Sequence, residues 1–295
     1  MCRWILLALL SGVLLAGCGA SAAVSVDTAF TPPPEEVVDD KGEAVLDGCR
    51  SGMEHTEAWT CVYGDPGSDE SVVLWGDSHA MQFVPPMIRL AERKGWRLVT
   101  LFRGSCLTAD APFEPACDAW RMNALNRIAR ESPDLVVTAT DTGNGYALAR
   151  DGVQLSREES GDLLREAYTR TLDRLAEITG RRAGSVVVIR DLPRAEHPPP
   201  DCLARNRDRP ETCDFEGVRR DPPGFDLEAA HDVRGARLVD PGPEVCPGDR
   251  CPAVRDGKVV YRDTAHLSAT YAVTLTDWLE EQIGELPAKG SDGGG

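Results

Sequence analysis

The chain has 295 residues, of which 32 are basic and 48 acidic, giving a formal charge of −16. An acidic chain without basic clusters argues against nucleic-acid binding and against electrostatic attraction to anionic lipid. Between two low-complexity ends, enough chain remains for one α/β domain with a sizeable core.

Residues 1–17 carry Arg3, apolar runs over Trp4–Leu10 and Val13–Ala16, and small residues at the end. The run is too short to span a membrane permanently and reads as a secretory signal peptide. Leu15-Ala16-Gly17-Cys18 looks like a bacterial lipobox, which predicts Cys18 as a lipid-bearing N-terminus. The expected location is outside the cytoplasm, anchored to the cell membrane by lipid rather than by charge. Residues 18–43 hold Pro32-Pro33-Pro34, Glu35-Glu36 and Asp39-Asp40, a composition that predicts a solvated tether. The domain is expected over 44–284, followed by a flexible tail over 285–295.

Of the ten cysteines, Cys2 and Cys18 belong to the leader region, which leaves eight. An even number in an exported chain predicts disulfides. The eight fall into four close pairs: Cys49–Cys61, Cys106–Cys117, Cys202–Cys213 and Cys246–Cys251. Their spacings are wider than the Cys-x-x-Cys of a zinc site and the histidines are scattered, so no metal and no cofactor are expected.

The β-rich run Val72–Trp75 reads as a strand, broken by Gly76, with helix-compatible sequence from His79 to Lys94. Phe83, Met87 and Leu90 have helical spacing. Pro85 and Pro86 fall in the first turn, and Gly95 ends the helix. Arg97–Phe102 is a second strand, running into Arg103-Gly104-Ser105-Cys106. A helix over Asp118–Arg130 precedes a third strand, Asp134–Thr140, which enters Asp141-Thr142-Gly143-Asn144-Gly145-Tyr146. Ser156 caps a long helix to Thr179. Ser185–Arg190 and Ala236–Val239 are further strands, with a polar, proline-rich excursion over 194–224 between them. A small strand at Val259–Tyr261 and a closing helix over Ala265–Ile283 complete the pattern. Alternating strands and helices predict a three-layer α/β/α fold with a parallel central sheet and a site over its C-terminal strand ends.

Strand, tight turn and helix place Ser78 where free helix N–H groups face a developing oxyanion. A serine needs a base. Near the other end stands Tyr261-Arg262-Asp263-Thr264-Ala265-His266-Leu267-Ser268. An aspartate three residues before a histidine can hold the imidazole Nδ1–H while Nε2 faces outward. Asp263 would orient His266, and His266 would take the proton of Ser78.

Together the two stretches resemble the SGNH (GDSL-like) hydrolase superfamily. Gly76-Asp77-Ser78 matches its first block and Asp263-x-x-His266 its last. The closer likeness, over about Cys49 to Trp278, is to the extracytoplasmic SGNH domains of acyltransferase family 3 membrane proteins. The resemblance implies the same three-layer fold. It also implies an oxyanion hole formed at Ser78, at Gly104 and at an asparagine of a third block. Here Gly143 and Asn144 are adjacent, so Asn144 either completes the hole or occupies a turn between glycines.

Asp77 is expected to bond the turn's backbone, and His79 to point away from the nucleophile in a structural role. Trp75, Trp96 and Trp278 are expected in the core, while Trp120 and Tyr146 are candidates to stack on a sugar. The excursion is either part of a substrate rim or a stapled surface loop. The expected function is O-acyl transfer to, or removal from, a cell-envelope glycan. The expected partners are an acylated glycan or acyl donor and a multi-pass membrane acyltransferase, with no nucleic acid. The alternative is a non-catalytic glycan-binding envelope lipoprotein.

Overall fold

A computed structural model describes residues 30–143, 148–150, 153–217, 224–248 and 250–288. The six strands of the main sheet are β1 (Cys61–Gly64), β2 (Ser71–Gly76), β3 (Arg97–Phe102), β4 (Leu135–Ala139), β5 (Val186–Ile189) and β6 (Ala236–Val239). Their spatial order is β1-β3-β2-β4-β5-β6, with β1 antiparallel to β3 and the other pairings parallel. Helices α1 (Ser78–Met81), α2 (Val84–Lys94), α3 (Pro115–Glu131), α4 (Arg157–Ile178), α5 (Phe225–Asp232) and α6 (Thr276–Ile283) cover the two faces. The expected three-layer arrangement is what the chain adopts.

Alternation along β2 sorts the core into two layers. Val72 and Leu74 pack with Leu98, Val137, Met87, Leu90 and Leu279 on one face. Val73 and Trp75 pack with Leu101, Val136, Trp120, Tyr168 and Leu172 on the other. All six residues of β2 are buried, the signature of a central strand covered on both faces. Each fully buried large aliphatic or aromatic side chain contributes about 1.5–3 kcal/mol relative to exposure.

The continuous helix expected over His79–Lys94 is two helices. Pro85 and Pro86 have no N–H to donate to the carbonyls of Met81 and Gln82, so the first turn cannot continue. Phe83 leaves helical geometry at φ −91° and ψ 3°, and α2 starts after it. The closing helix is also shorter than expected. Residues 263–267 form a loop, and helix begins at Ala269 behind a Ser268 cap that accepts from the Tyr271 amide.

Residues 30–41 depart from the expected tether. Phe30 and Val37 are buried against Leu203, Ala253 and Val259. Thr31 exchanges backbone hydrogen bonds with Gly257 and Val259. Asp40 accepts from the amides of Ala269 (main-chain oxygen, 3.0 Å) and Thr270 (side chain, 2.8 Å). Two apolar anchors in an otherwise polar stretch suffice to dock it. At the other end Leu286 packs against the core and Glu285 pairs with Lys94, so residues 285–288 lie on the domain.

The four disulfides are Cys49–Cys61, Cys106–Cys117, Cys202–Cys213 and Cys246–Cys251. The second staples the loop after β3 to the start of α3. The third closes a small helical lobe, Pro199–Arg205 and Pro210–Cys213, within the excursion.

Candidate active site

The site is built on the C-terminal ends of β2, β3 and β4. Gly76 ends β2 against β4: a Cβ there would lie 2.2 Å from the Ala139 carbonyl oxygen and 2.6 Å from the Ala80 Cβ. Only glycine allows the strands to close this tightly at the turn. Asp77 then caps α1. Its Oδ1 accepts from the His79 amide at 2.8 Å, and its Oδ2 accepts from Thr140 Oγ1 at 2.7 Å and the Asp141 amide at 2.8 Å. Three donors converge on one carboxylate, so Asp77 rivets the turn at Ser78 to the end of β4. Burial pushes its pKa up to about 6, against the pull of His79 and these donors.

Ser78 is therefore the first residue of α1, with its side chain free of the cap. Its Oγ lies 2.9 Å from His266 Nε2. His266 Nδ1 lies 2.9 and 3.0 Å from the two Asp263 oxygens. The Asp263 carboxylate also accepts from the amides of Ala265 and His266, both at 2.8 Å, which folds residues 263–266 into a tight loop around it. Burial opposes charge on Asp263, but the His266 ring and these amides overcome it and hold its pKa well below the usual carboxylate range. Burial lowers the pKa of His266, against the pull of Asp263, and the nearby His79 lowers it further. The result is an imidazole biased to its neutral form, with Nε2 turned to the serine.

Gln82 joins the two halves of this arrangement. It is buried, its Nε2 donates to the His79 carbonyl at 3.0 Å, and its Oε1 accepts from the Leu267 amide at 2.8 Å. Sequence reasoning passed over it, because nothing local marks a glutamine as a tie to a loop 185 positions away.

The parallel pairing of Gly76 with Phe102 sets the Arg103-Gly104 turn beside the turn at Ser78. An added Cβ on Gly104 would meet nothing within 4 Å, so the glycine borders open space. Arg103 beneath it is buried and bonds the Met53 carbonyl and Glu114. Asn144, Tyr146 and Cys18 lie outside the described residues.

His79 does not point away from the site. Its ring lies 4.8 Å from the His266 ring, centroid to centroid. Its Nδ1 is 2.5 Å from Asp191 Oδ1, and its Nε2 is 3.2 Å from the Arg194 guanidinium and 3.8 Å from Asp141 Oδ2. His79, Asp141 and Asp191 could together hold a metal ion by spacing alone, with ligand atoms within 4.8 Å of one another. Arg194, bonded to both Asp141 and His79, already brings a permanent cation to that cluster. The donor set fits an ion-pair network better than a metal.

Trp120 is fully buried and donates from Nε1 to Ser51 Oγ at 3.0 Å, so it is a core residue rather than a sugar platform. Trp75 and Trp96 are buried as expected, and Trp278 packs on the core. The excursion reaches the site: Arg194 enters the His79 cluster, and the Ala195 amide donates to the Thr264 carbonyl at 2.9 Å. No helix among the described residues is long and apolar enough to cross a membrane.

Comparison with known proteins identifies a family and a fold. The model of the family described as "SGNH domain (fused to AT3 domains)" matches residues 48–281. The periplasmic domain of a lipopolysaccharide acetyltransferase from Salmonella ser. Paratyphi A is similar in structure, at a TM-score of 0.54 and 13% identity, over 89% of this chain and 99% of that one. That likeness is one of fold. An Axe2 mutant, an acetyl-xylooligosaccharide esterase from Geobacillus stearothermophilus, superposes more loosely, at a TM-score of 0.41 and 13% identity over 75% of this chain and 97% of that one. No curated protein matches the sequence.

Proposed function

The chain belongs to the family of SGNH domains fused to AT3 domains, and we propose that it acts on ester bonds outside the cytoplasm through Ser78, His266 and Asp263, moving O-acyl groups to or from a cell-envelope glycan. The observation that carries this reading is the continuous hydrogen-bonded line from Ser78 Oγ through His266 to Asp263, with 2.9 Å at each step.

In this reading the Ser78 hydroxyl attacks the acyl carbonyl as its proton passes to His266 Nε2. Asp263 accepts from Nδ1–H and stabilises the imidazolium that forms, remaining ionised throughout. The oxyanion is received by amides at the start of α1 and at Gly104, with Asn144 as a third donor. Collapse breaks the bond to the leaving alcohol, which takes the proton from His266 and leaves an acyl-Ser78 ester. His266 then deprotonates water or a glycan hydroxyl, which attacks that ester and regenerates the serine.

Family membership favours transfer over hydrolysis. A multi-pass membrane acyltransferase is the proposed source of acyl groups, and a lipid on Cys18 the proposed anchor. The test is incubation of purified protein with a nitrophenyl acetate, with and without envelope polysaccharide. Slow hydrolysis alone, with acetyl diverted to sugar hydroxyls when polysaccharide is present, supports transfer. Fast hydrolysis without new glycan esters makes the protein an esterase.

A further inference from the structure

The loop over residues 51–60 takes no part in the chemistry derived above, yet it stands beside it. The Ser51 amide donates to the Phe102 carbonyl at 2.8 Å, and Ser51 forms a parallel bridge with Arg103. On the other side of Phe102 lies Gly76, two residues before Ser78. Ser51 and Gly76 therefore flank the C-terminal end of β3, two strand spacings or about 10 Å apart. Arg103 ties the loop to the same edge by donating to the Met53 carbonyl and to Glu114. Gly104, with its open space, comes next.

The loop is held from within. Ser51 is buried, and its Oγ donates to the Glu57 carbonyl at 2.7 Å and accepts from the Trp59 amide at 3.2 Å. The Thr56 carbonyl accepts from Asn123 of α3 at 2.8 Å. Gly52 makes room for His55, whose Nδ1 would lie 2.7 Å from an added Cβ. The His55 ring stands 4.7 Å from the Trp59 ring, centroid to centroid, and Trp59 Nε1 donates to Glu57 at 3.3 Å. The indole is thus fixed at its edge and at its backbone, yet Trp59 is 40% exposed. Four of the eight exposed large apolar side chains among the described residues gather here: Met53 and Trp59 on the loop, Phe113 next to Glu114, and Met122 next to Asn123. Glu54, Glu57 and Glu114 are interspersed with them. Exposed apolar surface set among polar groups marks a binding site.

The chemistry of the patch selects its occupant. An aromatic ring already held in one orientation offers contact area without losing side-chain freedom on binding. A hydrocarbon chain laid here would strip water from the carboxylates and return no donor. An anionic polymer would be repelled by them. A neutral sugar ring meets both demands: its C–H face covers an indole, and its hydroxyls donate to carboxylates. We propose that Trp59 is the platform of a sugar-binding subsite, holding a unit of the glycan remote from the one whose ester reaches Ser78. Binding energy gained at such a distance serves to orient the reacting ester.

The inference rests on the glycan-directed reading of function, and its test measures binding without turnover. Full-length Ser78→Ala protein is titrated with size-graded oligosaccharides from partly hydrolysed envelope polysaccharide while the 15N–1H signal of the Trp59 indole is followed. Loss of one signal in Trp59→Phe assigns it among the six tryptophans. The oligosaccharides should shift that signal, and affinity should rise with length until the chain spans from Ser78 to Trp59. Trp59→Ala should weaken the Kd of the longer oligosaccharides by about 10- to 100-fold. Trp59→Phe, which keeps a ring face, should lose less, and Val38→Ala, an exposed apolar residue of the docked N-terminal segment, should lose nothing. An unmoved Trp59 signal, or a folded Trp59→Ala protein with undiminished affinity, overturns the proposal. Undiminished glycan affinity together with lost binding to a membrane acyltransferase would make the loop a protein-docking surface instead. If Trp59→Ala loses affinity while Ser78 is never acylated in the wild type, the reading of function fails and the subsite stands.

Discussion

The Gln82 side chain accepts a 2.8 Å hydrogen bond from the Leu267 amide while donating to the His79 carbonyl, and so ties the turn that carries Ser78 to the loop that carries His266. One buried amide thereby spans the α1 turn and the loop that carries His266. Both atoms of the amide are used, in opposite senses, so neither leucine nor glutamate reproduces it.

Gln82→Leu keeps volume and loses both bonds. The serine–histidine contact depends on that tie, and small misplacements at reacting groups cost up to about 100-fold in rate. The expected outcome is a kcat on nitrophenyl acetate lower by about 10- to 100-fold with KM little changed. Wild-type kcat in a folded Gln82→Leu protein would show that other packing holds the loop.

Trp120 offers a contrast between packing and binding. Its burial and its bond to Ser51 assign it to the core. Trp120→Ala should cost about 3–5 kcal/mol of stability and Trp120→Phe about 1 kcal/mol, measured by denaturant unfolding. KM for an acylated glycan should be unchanged in the Phe variant. A raised KM at full stability would place the ring in the binding surface after all.

The parts of this site that could be read from the sequence are the local ones. Gly76-Asp77-Ser78 announces a strand–turn–helix, and Asp263-x-x-His266 a self-contained carboxylate–imidazole pair, because spacing alone sets their geometry. The continuous apolar run Val72–Trp75 likewise reads as a strand, and such a run fits burial on both faces. Gln82, Asp191 and Arg194 were not legible, since each acquires its role from a partner brought near only by the topology; Asp191 lies 112 positions from His79. His79 was misread because adjacency to Ser78 says nothing about where its ring turns once Asp191 draws it. Composition hid the docking of residues 30–41, where Phe30 and Val37 anchor a polar stretch.

The central claim is that Ser78 carries the acyl group, and mass analysis of a trapped acyl-enzyme tests it most directly. Brief reaction with a nitrophenyl acetate, acid quench and peptide mapping should place an acetyl group on the peptide containing Ser78. The label should be absent in Ser78→Ala and strongly reduced in His266→Ala, because the two act as a unit. An acetyl group on another residue, together with wild-type turnover in Ser78→Ala, would contradict the account.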